Sequence, residues 1–119
     1  MVEVNYRITT AKLDVGRIKK YSPVDGILNS AVLAFPPGCN SLAEVIINHG
    51  TIRVLPTPTK GGGTVTGIAL DGTTQSFSIN KPVGMNDILE VVVTNHDDAE
   101  SHTISVILLI EEKLTYAGP

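Results

Sequence analysis

Residues 2–9 read VEVNYRIT, and this stretch sets the fold class of the chain. Apolar side chains at Val2, Val4, Tyr6 and Ile8 alternate with polar ones, which is the period-two pattern of a β-strand with one buried face. Similar short apolar stretches recur along the chain, separated by turn residues, and none of them has a helical period. The sequence therefore predicts an all-β protein without substantial helix.

The spacing of these stretches predicts eight or nine short strands. They fall at residues 2–9, 13–18, 27–35, 42–47, 52–55, 65–70, 76–80, 88–94 and 102–112. Short strands about ten residues apart are typical of an antiparallel two-sheet β-sandwich, and eight is the number in a jelly roll. An immunoglobulin-type Greek-key sandwich is the alternative, although its Cys…Trp…Cys pattern is missing because the chain has no Trp. Gly16 is a candidate β-bulge, and Gly50 is expected to have a positive φ in a tight hairpin.

A chain of 119 residues is expected to form one domain, residues 1–119, because two cores would each be too small. Residues 1–10 are predicted to be an N-terminal arm or an edge strand, and residues 113–119 a loose C-terminal tail. Residues 56–63, PTPTKGGG, lack periodicity and are predicted to be a mobile exposed loop.

Composition limits the partners that the protein can have. Charged residues make up 18% of the chain and hydrophobic residues 42%, which favours an assembled protein over a free monomer. The net charge of −3 argues against nucleic acid, and the cations Arg17, Lys19 and Lys20 fit a solvated strand face. No signal peptide and no apolar run of membrane-spanning length is found, so we expect neither secretion nor a membrane partner.

The last predicted strand, residues 102–112, is apolar on both faces. Alternate residues such as Ile104 and Leu108 share one face, and Ile107 and Leu109 share the other. Strands of this kind are covered on both sides. One face is therefore expected to pack in the core and the other to contact a loop, a neighbouring subunit or a partner.

The three histidines, with the acids between His96 and His102, are candidates for a metal site. His96 and His102 flank a polar loop that contains Asp97, and His49 follows a similar acid–strand–Asn sequence. Imidazole and carboxylate groups bind Zn²⁺, but a site needs three or four converging ligands. The alternative is that these polar residues serve turns, with Asn48 and Asn95 in left-handed conformations. We predict no metal, no cofactor and no catalytic residue.

No motif of enzymatic catalysis lies on the predicted strands, and Cys39 is expected to be a buried thiol. Sugar-binding modules use exposed aromatic rings, or Ca²⁺ held by Asp and Asn side chains such as those of residues 95–98. Only Tyr21 and Tyr116 fall outside the predicted core, whose aromatic residues are Tyr6, Phe35 and Phe77. A glycan partner stays open as an alternative.

Residues 35–112 have a recognisable layout of strands and turns. It runs through FPPG at 35–38, RVLP at 53–56, GIALDG at 67–72, VVVTN at 91–95 and HTISV at 102–106. This layout resembles small β-sandwich virion proteins of tailed phages and archaeal viruses, which decorate capsids or form necks, spikes and fibres. The resemblance implies a structural protein that assembles symmetrically and has no catalytic residues.

The sequence thus leads to one main functional hypothesis and two alternatives. The main one is a non-enzymatic virion protein (capsid decoration, minor capsid, neck or spike) that forms a homo-oligomer and contacts a larger capsid or tail assembly. Its predicted contact residues are Ile107, Leu109 and the arm Val2–Thr10. The alternatives are a carbohydrate-binding β-sandwich module and a cupin-like metal-dependent enzyme. The expected location is the virion, assembled in the host cytoplasm, and otherwise the cytoplasm.

Overall fold

The computed structural model describes residues 1–57 and 67–113, and in these residues it contains eight β-strands and no helix. The strands are β1 (Val2–Thr10), β2 (Val15–Tyr21), β3 (Gly26–Phe35), β4 (Ala43–His49), β5 (Ile52–Leu55), β6 (Thr73–Val83), β7 (Ile88–Asn95) and β8 (His102–Glu112). They form two antiparallel four-stranded sheets that pack face to face. The prediction of an all-β two-sheet sandwich is confirmed.

The order of the strands is that of a jelly roll. The first sheet has the order β1-β8-β3-β6, and the second has β2-β7-β4-β5. Within them, β1 pairs with β8, β2 with β7, β3 with β6 and β4 with β5. The chain is therefore one long antiparallel hairpin of four strand pairs rolled into two sheets, which differs from the immunoglobulin arrangement.

Alternation along each strand puts one apolar face of each sheet into a shared core. β8 shows this most clearly, because Ile104, Val106, Leu108 and Ile110 are all fully buried. Their counterparts in the second sheet are Val45 and Ile47 on β4 and Leu89, Val91 and Val93 on β7. The predicted core aromatic residues Tyr6 and Phe35 are buried, and Phe77 packs against the core while half-exposed.

Several local predictions are decided by the structure. Gly50 has the expected positive φ of 62° in the β4–β5 turn. Gly16 is not a bulge, because β2 pairs with β7 without a register shift. Instead a Cβ at Gly16 would lie 2.8 Å from side-chain atoms of Ile8 and Thr10, so glycine allows β2 to pass close to β1.

The predicted strand at 65–70 is wrong over the residues that are described. Within 67–70 only Ile68 pairs, in an isolated bridge to Val45 of β4. In the described residues β5 pairs with residues 47–49 of β4 and Ile68 with Val45, so the segment 67–70 meets this side of β4 at a single position. Residues 58–66, with most of the predicted 56–63 loop, and residues 114–119 of the predicted tail lie outside the described part.

Of residues 1–10, predicted to be an arm or an edge strand, Val2–Thr10 form β1 at the edge of the first sheet, where every residue has a partner on β8. No helix in the described residues is long and apolar enough to cross a membrane.

Candidate functional site

Each of the three histidines lies beside a different carboxylate. The Nε2 atoms are 2.7 Å, 3.4 Å and 2.8 Å from a carboxylate oxygen in the pairs His49–Asp87, His96–Glu44 and His102–Asp97. In residues 1–57 and 67–113 no group of three or more His, Cys, Asp and Glu side chains could hold a metal ion. His49, His96, Asp97 and His102 thus do not converge: only Asp97 and His102 meet.

The loop between β7 and β8 is organised around a buried amide. Asn95 donates from Nδ2 to the carbonyl oxygens of Thr10, at 3.1 Å, and Glu100, at 3.0 Å, and its Oδ1 accepts the N–H of Asp97. The side chain of Asn95 is almost completely buried. It therefore ties the end of β1 to the loop and satisfies backbone groups that would otherwise be buried without a partner.

The prediction that Asn48 and Asn95 have left-handed conformations is wrong. Neither has a positive φ: both lie at regularly paired strand positions, Asn48 opposite Glu90 and Asn95 opposite Ala43. The asparagines that do have positive φ are Asn40, Asn80 and Asn86. In Asn48 and Asn95 the amide is used for long-range hydrogen bonds instead, which a single sequence does not reveal.

Asp97 completes the same loop as a charged acceptor. Its Oδ1 accepts the N–H groups of Ala99, at 2.9 Å, and Glu100, at 3.2 Å, while its Oδ2 meets His102. The hydrogen bond from Ala99 is the largest of the interactions that hold the pKa of Asp97 below its ordinary value. Asp87 has a lowered pKa for the same kind of reason, first through the N–H of Gly84 and then through His49.

These lowered pKa values predict acid sensitivity. As pH falls, these carboxyl groups are protonated first in the unfolded chain, because their pKa values are lower in the folded protein. The stability that the two carboxylates contribute to the folded protein is therefore complete above the ordinary carboxyl pKa of about 4, and it is lost as pH falls through the lower pKa of the folded state. We expect Asp97→Asn to be less stable than the parent at neutral pH and to lose less further stability on acidification. Urea denaturation at pH 7 and at pH 3 measures this, with Asp98→Asn as the exposed neighbouring control. Equal pH dependence in parent and Asp97→Asn would contradict the assignment.

Cys39 is a buried thiol, as predicted. Burial, and then the negative charge of Asp71, raise the pKa of Cys39, which disfavours the nucleophilic thiolate. Asp71 itself accepts the N–H groups of Gly38 and Asn40, each at 2.9 Å. This corner is therefore a structural connection between the β3–β4 loop and the start of β6.

The cations of β2 are exposed, as predicted, but two of them surround a buried acid. Glu90 lies on the outer face of the second sheet with 9% of its side chain exposed, and it is 3.6 Å from Arg17 and 3.9 Å from Lys19. Asn48 donates to the same carboxylate. Lys20 points the other way, lies over the ring of Tyr6 and donates to the carbonyl of Asn5 in β1.

The outer face of the first sheet carries an apolar patch at its centre. Ile107 of β8 is paired with Val32 of β3. Leu109 lies two residues further along β8, and Ala34 lies two residues further along β3, so all four side chains share the outer face. All four are half-buried although no described element covers this face. We name these four residues, Val32, Ala34, Ile107 and Leu109, the outer patch.

Polar side chains surround the outer patch on both sides. Glu3, Asn5 and Arg7 of β1 lie on one side of the outer patch. Thr74, Ser76 and Ser78 of β6 lie on the other side. A groove of about 510 Å³ adjoins the outer patch at Ala34, and Arg7, Thr74 and Ser105 form part of its lining. An apolar centre with a polar rim is the ordinary make-up of a protein–protein contact surface.

A scan against protein-family models finds no match to this sequence, and a search of curated proteins finds none either.

Sequence reasoning identified Ile107 and Leu109, but it missed the other half of the outer patch. Val32 and Ala34 lie in a stretch that is apolar throughout, residues 31–35, so alternation alone could not assign their faces. The buried acid Glu90 was also missed. The sequence feature that points to a buried acid is the pair of cations Arg17 and Lys19 on β2. It becomes informative only once the pairing of β2 with β7 is known.

Proposed function

We propose that this protein is a non-enzymatic structural subunit that self-associates and contacts a larger assembly. The observation that carries the proposal is the outer patch, a half-buried apolar surface at the centre of a sheet. The low fraction of charged residues in the chain, 18%, supports the same role, because the part of a subunit surface that is covered on assembly does not need charge to stay soluble. The strands Val2–Thr10 and His102–Glu112 contribute the predicted contact residues.

The jelly-roll topology supports a more specific version of the proposal. Viral capsid proteins are one of the main users of this fold, together with lectins and cupins. With the resemblance in residues 35–112, this favours a virion component such as a capsid decoration, minor capsid, neck or spike subunit. Its location would then be the virion.

Leu109→Asp is expected to disrupt this association without unfolding the subunit. The new carboxylate would be desolvated against a partner's apolar surface, whereas in the free subunit it remains accessible to water. Light scattering over a dilution series measures the mass, and thermal unfolding measures the fold. We expect a parent mass several times 12.6 kDa and a clearly smaller mass for the variant.

Leu13→Asp is the matched control, because Leu13 is 67% exposed in the β1–β2 turn, away from the outer patch. It should leave the mass unchanged. A parent that is monomeric at every concentration would contradict self-association. Unfolding of Leu109→Asp but not of Leu13→Asp would show that this face belongs to the core.

The two alternatives have less support in the geometry. Among the described aromatic residues only Tyr21, at 66%, is largely exposed, and one ring is little for a sugar platform. A glycan array with and without Ca²⁺ tests that alternative. Metal analysis of the purified protein tests the alternative of a cupin-like enzyme. Stoichiometric metal would support that alternative.

A further inference from the structure

The two sheets have four edge strands, β1, β6, β2 and β5, and three of them carry features that discourage pairing with another chain. Edge strands expose unpaired N–H and C=O groups, and proteins protect them with charge, proline or short length. In β1 the carbonyl of Asn5 is occupied by Lys20. In β2 three of seven residues are cationic, and β5 has four residues and is followed by Pro56.

The edge strand β6 lacks these features over most of its length. It has 11 residues, and none from Thr73 to Asn80 is charged. Its pairing with β3 is regular over residues 73–78. Beyond Ser78 the strand has a bulge at residues 79–80, with a positive φ at Asn80, followed by Lys81 and Pro82, so only residues 73–78 form a regular unprotected edge. Within residues 1–57 and 67–113 no strand pairs with its other side. The side chains of Gln75, Ser76 and Ser78 are exposed.

Phe77 lies in the middle of this free edge. It pairs with Ala31 and packs against the core, yet it is only half-buried. Because β6 is the outermost strand of its sheet, an added strand would lie directly beside Phe77. Directly opposed aromatic side chains on adjacent antiparallel strands stabilise the pairing through contact between the rings.

We propose that β6 pairs antiparallel with β6 of a second copy, with Phe77 opposite Phe77 on the two-fold axis. This register puts Ser76 opposite Ser78 on the outer face, where the hydroxyls can exchange hydrogen bonds, and keeps the pairing centred on the regular residues 76–78. A second copy is the fitting occupant because the segment is self-complementary about Phe77. The nearest charges, Lys81 and its symmetry mate, are about 27 Å apart, eight residue steps along the strands.

The pairing would join two first sheets into one of eight strands. Because the axis is perpendicular to the sheet, both outer patches face the same side, with the two β8 strands about 24 Å apart, five strand spacings. A dimer would thus present two apolar patches to one larger surface. This inference rests on the proposed function in one respect, that the chain self-associates. It adds that β6 is the edge strand through which two copies pair.

The test is sedimentation velocity of Leu109→Asp with and without the double change Ser76→Lys and Ser78→Lys. The double change places lysine opposite lysine across the pairing while leaving both side chains in solvent within the subunit. We expect Leu109→Asp alone to sediment as a dimer of twice the 12.6 kDa chain mass, and the triple variant as a monomer. Thr51→Lys with Ser101→Lys, two exposed loop positions, is the control of equal charge and should keep the dimer.

The outcomes separate this inference from the proposed function. A Leu109→Asp variant that is monomeric, in a parent that assembles, overturns the β6 pairing and leaves the proposed function standing. A dimer that survives the lysine substitutions also overturns the pairing. Hydrogen exchange gives an independent measure: amides within residues 75–79 should exchange more slowly in the dimer than in the triple variant, and equal rates contradict the pairing. A parent that is monomeric throughout overturns both proposals.

Discussion

Replacing Asn95 by alanine is expected to lower the free energy of unfolding by about 3 kcal/mol, because at least three hydrogen bonds of about 1 kcal/mol each are lost in a buried place. The amide bonds two backbone carbonyls and one backbone N–H, which belong to Thr10, Glu100 and Asp97. Alanine leaves these groups without partners and too deep for full hydration. Urea denaturation of the parent and the variant measures the difference.

Asn5→Ala is the matched control, because Asn5 is an exposed asparagine on a strand. Its effect is expected to stay within about 0.5 kcal/mol, as is usual for surface positions. If Asn95→Ala costs as little as the control, the β7–β8 loop is held by other contacts, and the central role given to Asn95 is wrong.

Leu108→Ala is expected to cost about 3 kcal/mol, the usual size for a buried leucine whose removal leaves a cavity. Leu108 is fully buried between the sheets, and its neighbour Leu109 points to the outer face. Leu109→Ala should therefore cost about 1 kcal/mol or less, since water can fill the space left on that side. Denaturation of both variants at a protein concentration low enough that light scattering shows dissociated subunits compares them, because association would otherwise add to the stability measured for Leu109.

This pair tests the sidedness of β8 with the same chemical change at adjacent positions. Similar losses at Leu108 and Leu109 would show that the outer face is covered within the subunit. The outer patch would then be part of a core rather than a contact surface, and the functional proposal would lose its main support.

The candidate site was only partly predictable. Ile107 and Leu109 follow from alternation along β8, because one strand carries its own face assignment. Val32 joins them only through the β3–β8 register, which pairs residues 75 positions apart. The free edge of β6 depends likewise on which strands end up outermost. Asn95 resembled a turn residue in sequence because hydrogen bonds to Thr10, 85 positions away, leave no local pattern.

Alternation and turn residues were enough to predict the all-β class, the approximate strands and the inward faces, because both act over a few neighbouring positions. They also predicted Gly50 in its turn, where the requirement for a positive φ is local. The tertiary structure alone decided the sheet order, the outer patch, the buried ion cluster at Glu90 and the separation of the histidines. These depend on contacts between distant parts of the chain, and the free energy that selects them comes from packing both sheets at once.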